Sequence, residues 1–312
     1  MTLNEQIRSN NLRTFLLFAG FGVLMAAVGM VAAATYDPGL LGFVGIFAIG
    51  YALISWFASG SMVAAAAGAE PVTREQAPRL HRAVEVTAIG AGLDRTPDVY
   101  VIHDSAPNAF AAGRDLQHAY VAATTGLLEM MDDRELEAVM AHEMAHVRNR
   151  DVRLMTIAAI LVGIVALVSD MLLRSMIWGG RSNRQGGHPA MVIVAIVLMV
   201  LAPIAAAVMQ MTISRRREFL ADATAVEITG DAGALASALA KLGRDLQPLR
   251  NATKATAPMY IQNPLRDHRG LRSSLAGMFD THPPLRRRIE QVCQMGGLDP
   301  REYVVPDLER GS

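Results

Sequence analysis

One cysteine and no surplus of charge set the first limits on this chain. Cys293 is alone among 312 residues, so no disulfide can form within the chain, which fits a reducing compartment. Lysine and arginine number 29, and aspartate and glutamate number 29. With no net charge, nothing argues for a nucleic-acid partner. No internal repeat or low-complexity tract is present. Charge is also scarce in absolute terms: 19% of residues are charged against 52% hydrophobic, and the mean hydropathy is +0.26. That is too apolar for an ordinary soluble enzyme and points to membrane spans.

The scarcity of charge is concentrated in four runs. Residues 14–35 and 40–67 hold no charged residue, 154–173 holds only Asp170, and 190–214 holds none. A helix of about 20 residues crosses a hydrocarbon core of about 30 Å. Tyr36-Asp37-Pro38-Gly39 reads as a turn, so the first two runs are expected to form a helical hairpin. No small-residue cleavage site precedes a mature sequence, which favours an anchor over a signal peptide. A buried core helix is the competing reading of the third and fourth runs; their length favours membrane.

What is present in the polar parts is more specific. His142-Glu143-Met144-Ala145-His146 is an H-E-x-x-H run. The segment 132–149 around it reads as helix, with Asp132 as cap, Glu135 three residues on, and Leu136, Val139, Met140 and Val147 on an apolar face. Residues four apart on a helix share a face, so the two imidazoles point the same way and can hold one zinc ion. Glu143 can face a water beside that ion and act as general base. The bland reading is a wet helix face that happens to carry two histidines. Against it, unpaired imidazoles within an apolar face would be costly.

Around this helix the pattern is α+β and mostly helical. Residues 78–92 have helical spacing, 98–103 alternate as a strand, and 108–111 and 119–122 read as two more strands with Gly113 in the turn between them. The expected organisation is 1–69 as an N-terminal tail and transmembrane hairpin, 70–153 as the first part of a catalytic domain, 154–214 as a second hydrophobic hairpin, and 215–312 as the second part. Within the last part, Pro248, Pro258 and Pro264 mark a loop-rich stretch over 245–280, and a final helix runs from the His282-Pro283-Pro284 segment through Met295.

A catalytic zinc needs a third protein ligand. Glu218 is the candidate. It opens a helix, and Asp222 lies one turn later on the same face, where it can accept the second ring N–H of a zinc-bound histidine. The competing reading is a solvated acid paired with Arg215, Arg216 and Arg217.

Taken together, His142–His146, Glu218-Phe219-Leu220-Ala221-Asp222 and Asn108-Ala109-Phe110-Ala111 resemble the HtpX heat-shock membrane metalloproteases, relatives of the CAAX prenyl endopeptidases. The resemblance covers nearly the whole chain, including the His282-Pro283-Pro284 segment. It implies an integral membrane protein with four hydrophobic helices and a gluzincin-type zinc protease domain with a small sheet. It implies one zinc on His142, His146 and Glu218, with Glu143 as base, and an endopeptidase of the bacterial inner membrane that acts in the cytoplasm on damaged or unfolded membrane proteins. His282 would donate to the oxyanion with Arg288 nearby; on the residues alone, His-Pro-Pro is equally a helix start. Asn108, Ala109, Phe110 and Ala111 would offer a free strand edge to an extended substrate.

Ligands on both sides of the second hairpin require an even number of crossings between them. Arg8, Arg13 and Arg215–Arg217 place the termini and the site in the cytoplasm, while Arg174, Arg181 and Arg184 in an external loop run against that rule. Two other classes stay open. A non-catalytic membrane adaptor with a structural zinc would have no need of Glu143 and would close the fourth position. A four-span transporter would carry ionisable groups within its spans, where only Asp170 is available.

Overall fold

The structure, a computed structural model, describes residues 3–35, 38–161, 215–245, 247–252, 256–262, 264 and 283–303. Two long helices come first, α1 (Leu3–Thr35) and α2 (Gly39–Ala67). They pack on each other through Phe18 against Trp56 and Phe21 against Tyr51, with ring centroids 6.2 and 5.8 Å apart.

A four-stranded sheet follows, built from β1 (Ala69–Pro71), β2 (Asp98–Ile102), β3 (Ala109–Gly113) and β4 (Ala119–Thr124) in the order β1-β2-β4-β3. β2 runs parallel to β4, and the other two pairs are antiparallel. The β3–β4 connection is tight. Gly113, at φ 146°, leaves no room for a Cβ against the His118 carbonyl.

Strand alternation gives the sheet two apolar faces. One carries Val99, Val101, Ala109, Ala111, Val121 and Ala123. It packs on α3 (Pro78–Gly90) and α5 (Asp133–Arg148). The other carries Ile102, Phe110, Ala112, Tyr120 and Ala122 and packs on the end of α2 and on Met155, Ala159 and Ile160. Between β4 and α5 lies the short α4 (Thr125–Met130).

The start of α5 follows its sequence signal. The Asp132 side chain accepts from Glu135 N at 2.9 Å and the Glu135 side chain accepts from Asp132 N at 2.9 Å. Glu135 is buried and also holds Ser237 and Lys241 at 2.6 Å each, which pins α5 to α8 (Ala232–Arg244). Val139, Met140, Met144 and Val147 are fully buried; burial of side chains of this size contributes about 1.5–3 kcal/mol each.

After α5 the chain turns at Asn149 and Arg150. Arg150 takes the left-handed φ of 58°, and a new helix, α6, runs over 151–161. The last helices are α7 (Arg215–Thr229), α8, and α9 (Leu285–Gly296). Ala138 and Ala141 on the back of α5 pack against Ala225, Leu235, Leu239, Ile289 and Val292 of these three.

The expectation of four hydrophobic membrane helices is overturned. Among the described residues one stretch, Gly45–Ala67, is long and apolar enough to cross a membrane by length and composition. The third run, where it is described, is protein core instead. Leu154, Ile157, Ala158 and Leu161 are buried on Leu17 and Phe21 of α1. An uncharged run reads alike in sequence whether lipid or protein covers it. The remainder of the third run and the fourth run lie outside the described residues. With one candidate span among the described residues in place of the expected four, the multi-pass inner-membrane placement and its cytoplasmic orientation are not supported.

Candidate metal centre

α5 brings His142 and His146 to one face, and α7, packed along it, brings Glu218 opposite them. The ligand-type atoms of the three residues all lie within 4.8 Å of one another, and all three residues are buried. The two Nε2 atoms face each other at 3.2 Å. Glu218 carboxylate oxygens stand 3.8 Å from Nε2 of His142 and 3.6 Å from Nε2 of His146.

Each imidazole is held from behind by a buried aspartate. Nδ1 of His142 lies 2.9 Å from Asp222 Oδ1. Nδ1 of His146 lies 3.2 Å from Asp151 Oδ2. With each Nδ1–H donated to a carboxylate, both Nε2 atoms present lone pairs to the same point. Two such lone pairs beside a carboxylate repel unless a cation lies among them. A tetrahedral zinc with Zn–N bonds of about 2.0–2.1 Å sets neighbouring donors about 3.3 Å apart. The donor set and its spacing therefore fit zinc.

Glu143 sits beside the cluster, 1% exposed. Its Oε1 is buried with no hydrogen-bond partner among the described residues. Burial pushes its pKa up to about 7, into the range where a carboxylate can both take and return a proton near neutrality.

Arg288, fully buried on α9, completes one side. Its Nε donates to Asp222 Oδ2 at 2.8 Å and its Nη2 to Asp222 Oδ1 at 2.7 Å. Its Nη1 donates to the Ile261 carbonyl at 3.1 Å and lies 3.6 Å from Glu218. Burial would raise the Asp222 pKa, but Arg288 outweighs it and holds the group at about 2. Burial and then the Arg288 charge take His142 down to about 4. For His146 burial also acts downward, but the Asp151 hydrogen bond and the Glu218 charge prevail and raise it to about 9.

The structure brings together His142, Glu143, His146, Glu218, Asp222 and Arg288. His282 lies outside the described residues. At Asn108–Ala111 the expected free edge is largely taken by the chain itself. Ile261 N donates to Ala109 O at 3.0 Å, and Phe110 bridges Tyr260. The Asn108 side chain grips Gln262 at both main-chain groups, donating to its carbonyl at 3.0 Å and accepting from its N–H at 3.3 Å.

Sequence reasoning missed Asp151 and its partners. Asp151 is fully buried. Its Oδ1 accepts from Asn10 Nδ2 at 2.6 Å and lies 3.6 Å from Arg217 Nε. The only local signal was an acid following the Asn149-Arg150 break.

Comparison with known proteins agrees with this geometry. The model of peptidase family M48 matches residues 74–295, more than half of the chain. A protease HtpX homolog of Tropheryma whipplei is 43% identical over 290 residues, covering 93% of this chain and 97% of that protein. Homologs of the same name from Caldanaerobacter subterraneus subsp. tengcongensis and Listeria monocytogenes serotype 4a are 39% and 38% identical, over 93% and 94% of this chain and 97% and 100% of theirs. Matches of that extent run through both helices that meet at the cluster, and the chain accordingly belongs to peptidase family M48, as a metalloprotease related to the HtpX homologs.

Proposed function

We propose that the protein is an endopeptidase that holds one zinc ion on His142, His146 and Glu218 and cleaves unfolded or damaged membrane proteins. The observation that carries this is the convergence of two Nε2 lone pairs and a carboxylate beside the unpartnered Oε1 of Glu143. Zinc, when bound there, would supply a Lewis acid that acidifies water and polarises the scissile carbonyl. Glu143 takes the proton of the attacking water and returns it to the leaving nitrogen. Asp222 and Asp151 keep the two imidazoles in the tautomer that presents Nε2. Arg288 holds Asp222 charged and in place. His282 is the proposed donor to the developing oxyanion.

The stretches 70–153 and 215–312 form the catalytic unit in this reading, since α5 of the first is clasped by α7, α8 and α9 of the second. An extended substrate meets the sheet edge at Ala111, beside Glu143. Exposed Ile46, Ile49, Leu53, Ile54 and Phe57 on α2 support contact with a lipid bilayer. A structural zinc in a non-catalytic adaptor is disfavoured, because no fourth His, Cys, Asp or Glu joins the cluster among the described residues.

The test is Glu143→Gln in the full chain, with zinc content and cleavage of an unfolded polypeptide measured together. The expected result is unchanged zinc and a loss of cleavage of about 100- to 10,000-fold. Retained cleavage would remove Glu143 from the reaction, and loss of zinc would make it a ligand.

A further inference from the structure

Asn10 lies near the polar start of α1, next to Asn11, which accepts from Arg153 Nη2, and its side chain is 2% exposed and directed at the turn behind the metal centre. Its Nδ2 donates to Asp151 Oδ1 at 2.6 Å and to the Asn149 carbonyl at 3.1 Å. Asn149 is the residue that ends α5, and Asp151 is the one that holds His146 from behind. Both bonds fall on the sharp turn where Arg150 is left-handed. One amide therefore spans about 140 residues of sequence to fasten the turn and to meet at 2.6 Å the carboxylate oxygen that Arg217 Nε approaches at 3.6 Å. The other oxygen faces Nδ1 of His146 at 3.2 Å. An amide suits this place because it donates two hydrogens without bringing a charge into a buried site.

We propose that Asn10 is a positioning residue of the metal centre. It acts through Asp151 on His146, and the first helix is thereby part of the catalytic unit and not only an attachment to it. The inference rests on the reading that His142, His146 and Glu218 hold zinc. It concerns a residue some 130 positions before the H-E-x-x-H run, in the part of the chain that the matched family model leaves out.

The consequence is a division among variants of α1. Leu17 lies two turns along the same helix and packs on Leu154, Ile157 and Leu161. Leu17→Ala loosens the seat of α1 without touching Asp151. Asn10→Leu and Asn10→Asp remove the donors at nearly constant volume, and the second also sets a carboxylate against Asp151. If Asn10 works through Asp151, the Asn10 variants lose metal and the Leu17 variant does not.

The experiment measures zinc retention of the full-length protein by titration with a competing chelator, together with the visible absorption of the cobalt-substituted form. For Asn10→Leu the expected loss of zinc affinity is about 10- to 100-fold, the range for groups that orient a ligand. Asn10→Asp should lose more, and Leu17→Ala should retain zinc as the wild type does. The double variant Asn10→Leu with Asp151→Asn should be no worse than Asp151→Asn alone, because one path is broken once. The cobalt spectrum should shift in the Asn10 variants and stay unchanged in Leu17→Ala. Equal zinc affinity in wild type and Asn10→Asp overturns the proposal. So does equal loss in Leu17→Ala, which would reduce the effect to packing, or an additive double variant. A wild-type chain that takes up no zinc would instead remove the metal reading on which the proposal stands.

Discussion

His142 and His146 are held from opposite sides of one site, and the two sides are built differently. On the His142 side a carboxylate, Asp222, is clasped by a full cation, Arg288, at 2.7 and 2.8 Å, with both side chains essentially buried. On the His146 side the carboxylate of Asp151 takes a neutral amide from Asn10 at 2.6 Å, while the Arg217 guanidinium stands off at 3.6 Å. Burial and then the Arg288 charge lower His142 to about 4, whereas for His146 burial is outweighed by the Asp151 hydrogen bond and the Glu218 charge, which raise it to about 9. A carboxylate whose charge is matched at contact distance orients its histidine without charging it. Asp151 also orients its ring, and its hydrogen bond together with the Glu218 charge overcomes burial and attracts a proton to His146.

The comparison can be broken most sharply at Arg288. Arg288→Leu leaves Asp222 buried without its cation, and stability should fall by about 3–5 kcal/mol. Urea unfolding of the metal-free protein reads this directly. A loss under about 1 kcal/mol would show that Asp222 does not depend on Arg288 and that the two sides are alike.

The next effect is smaller and should be shared. Asp222→Ala and Asp151→Ala each remove one orienting carboxylate, and each should weaken zinc by about 10- to 100-fold. Chelator competition measures both. They should differ in stability, because Asp222→Ala strands a guanidinium held at 2.7 and 2.8 Å, whereas Asp151→Ala removes an amide contact at 2.6 Å and a guanidinium at 3.6 Å. If only one variant loses zinc, one of the two aspartates is not an orienting group.

The His142 side was the legible one. His142, His146, Glu218 and Asp222 are all expressed as i, i+4 pairs on two helices, and periodicity finds such pairs wherever the helices end up. Asp151 follows His146 by five positions across a helix break, where helical phase gives no direction. Asn10 is brought in by tertiary packing alone. The same limit explains other differences. β1 is three residues long and ends in Pro71, so no alternation marks it. The partner of the β3 edge is a short extended stretch in a proline-punctuated segment, with no strand pattern of its own. The third apolar run has the composition of a span and, through Leu161, the surroundings of a core.

The smallest effect concerns the turn that carries Asp151. A left-handed conformation costs a non-glycine residue about 1–2 kcal/mol, and glycine gives back about 0.5–1 kcal/mol through the freedom of the unfolded chain. Arg150→Gly should therefore raise stability by no more than about 1.5 kcal/mol and leave zinc affinity unchanged. Calorimetry with a parallel zinc titration checks both. A drop in zinc affinity would show that the rigidity of this turn, beyond its shape, holds the His146 side.

The grip of Asn108 on Gln262 has a consequence outside catalysis. An unpaired strand edge is a template on which other chains add and aggregate. Here the outer edge of β3 is met by Ile261 at Ala109 and by the Thr156 hydroxyl at Gly113. At the far end of the sheet β1 offers three residues, the last a proline with no N–H to give. If the protein cleaves unfolded chains as proposed, the described sheet offers them little edge beyond Ala111 on which to stack.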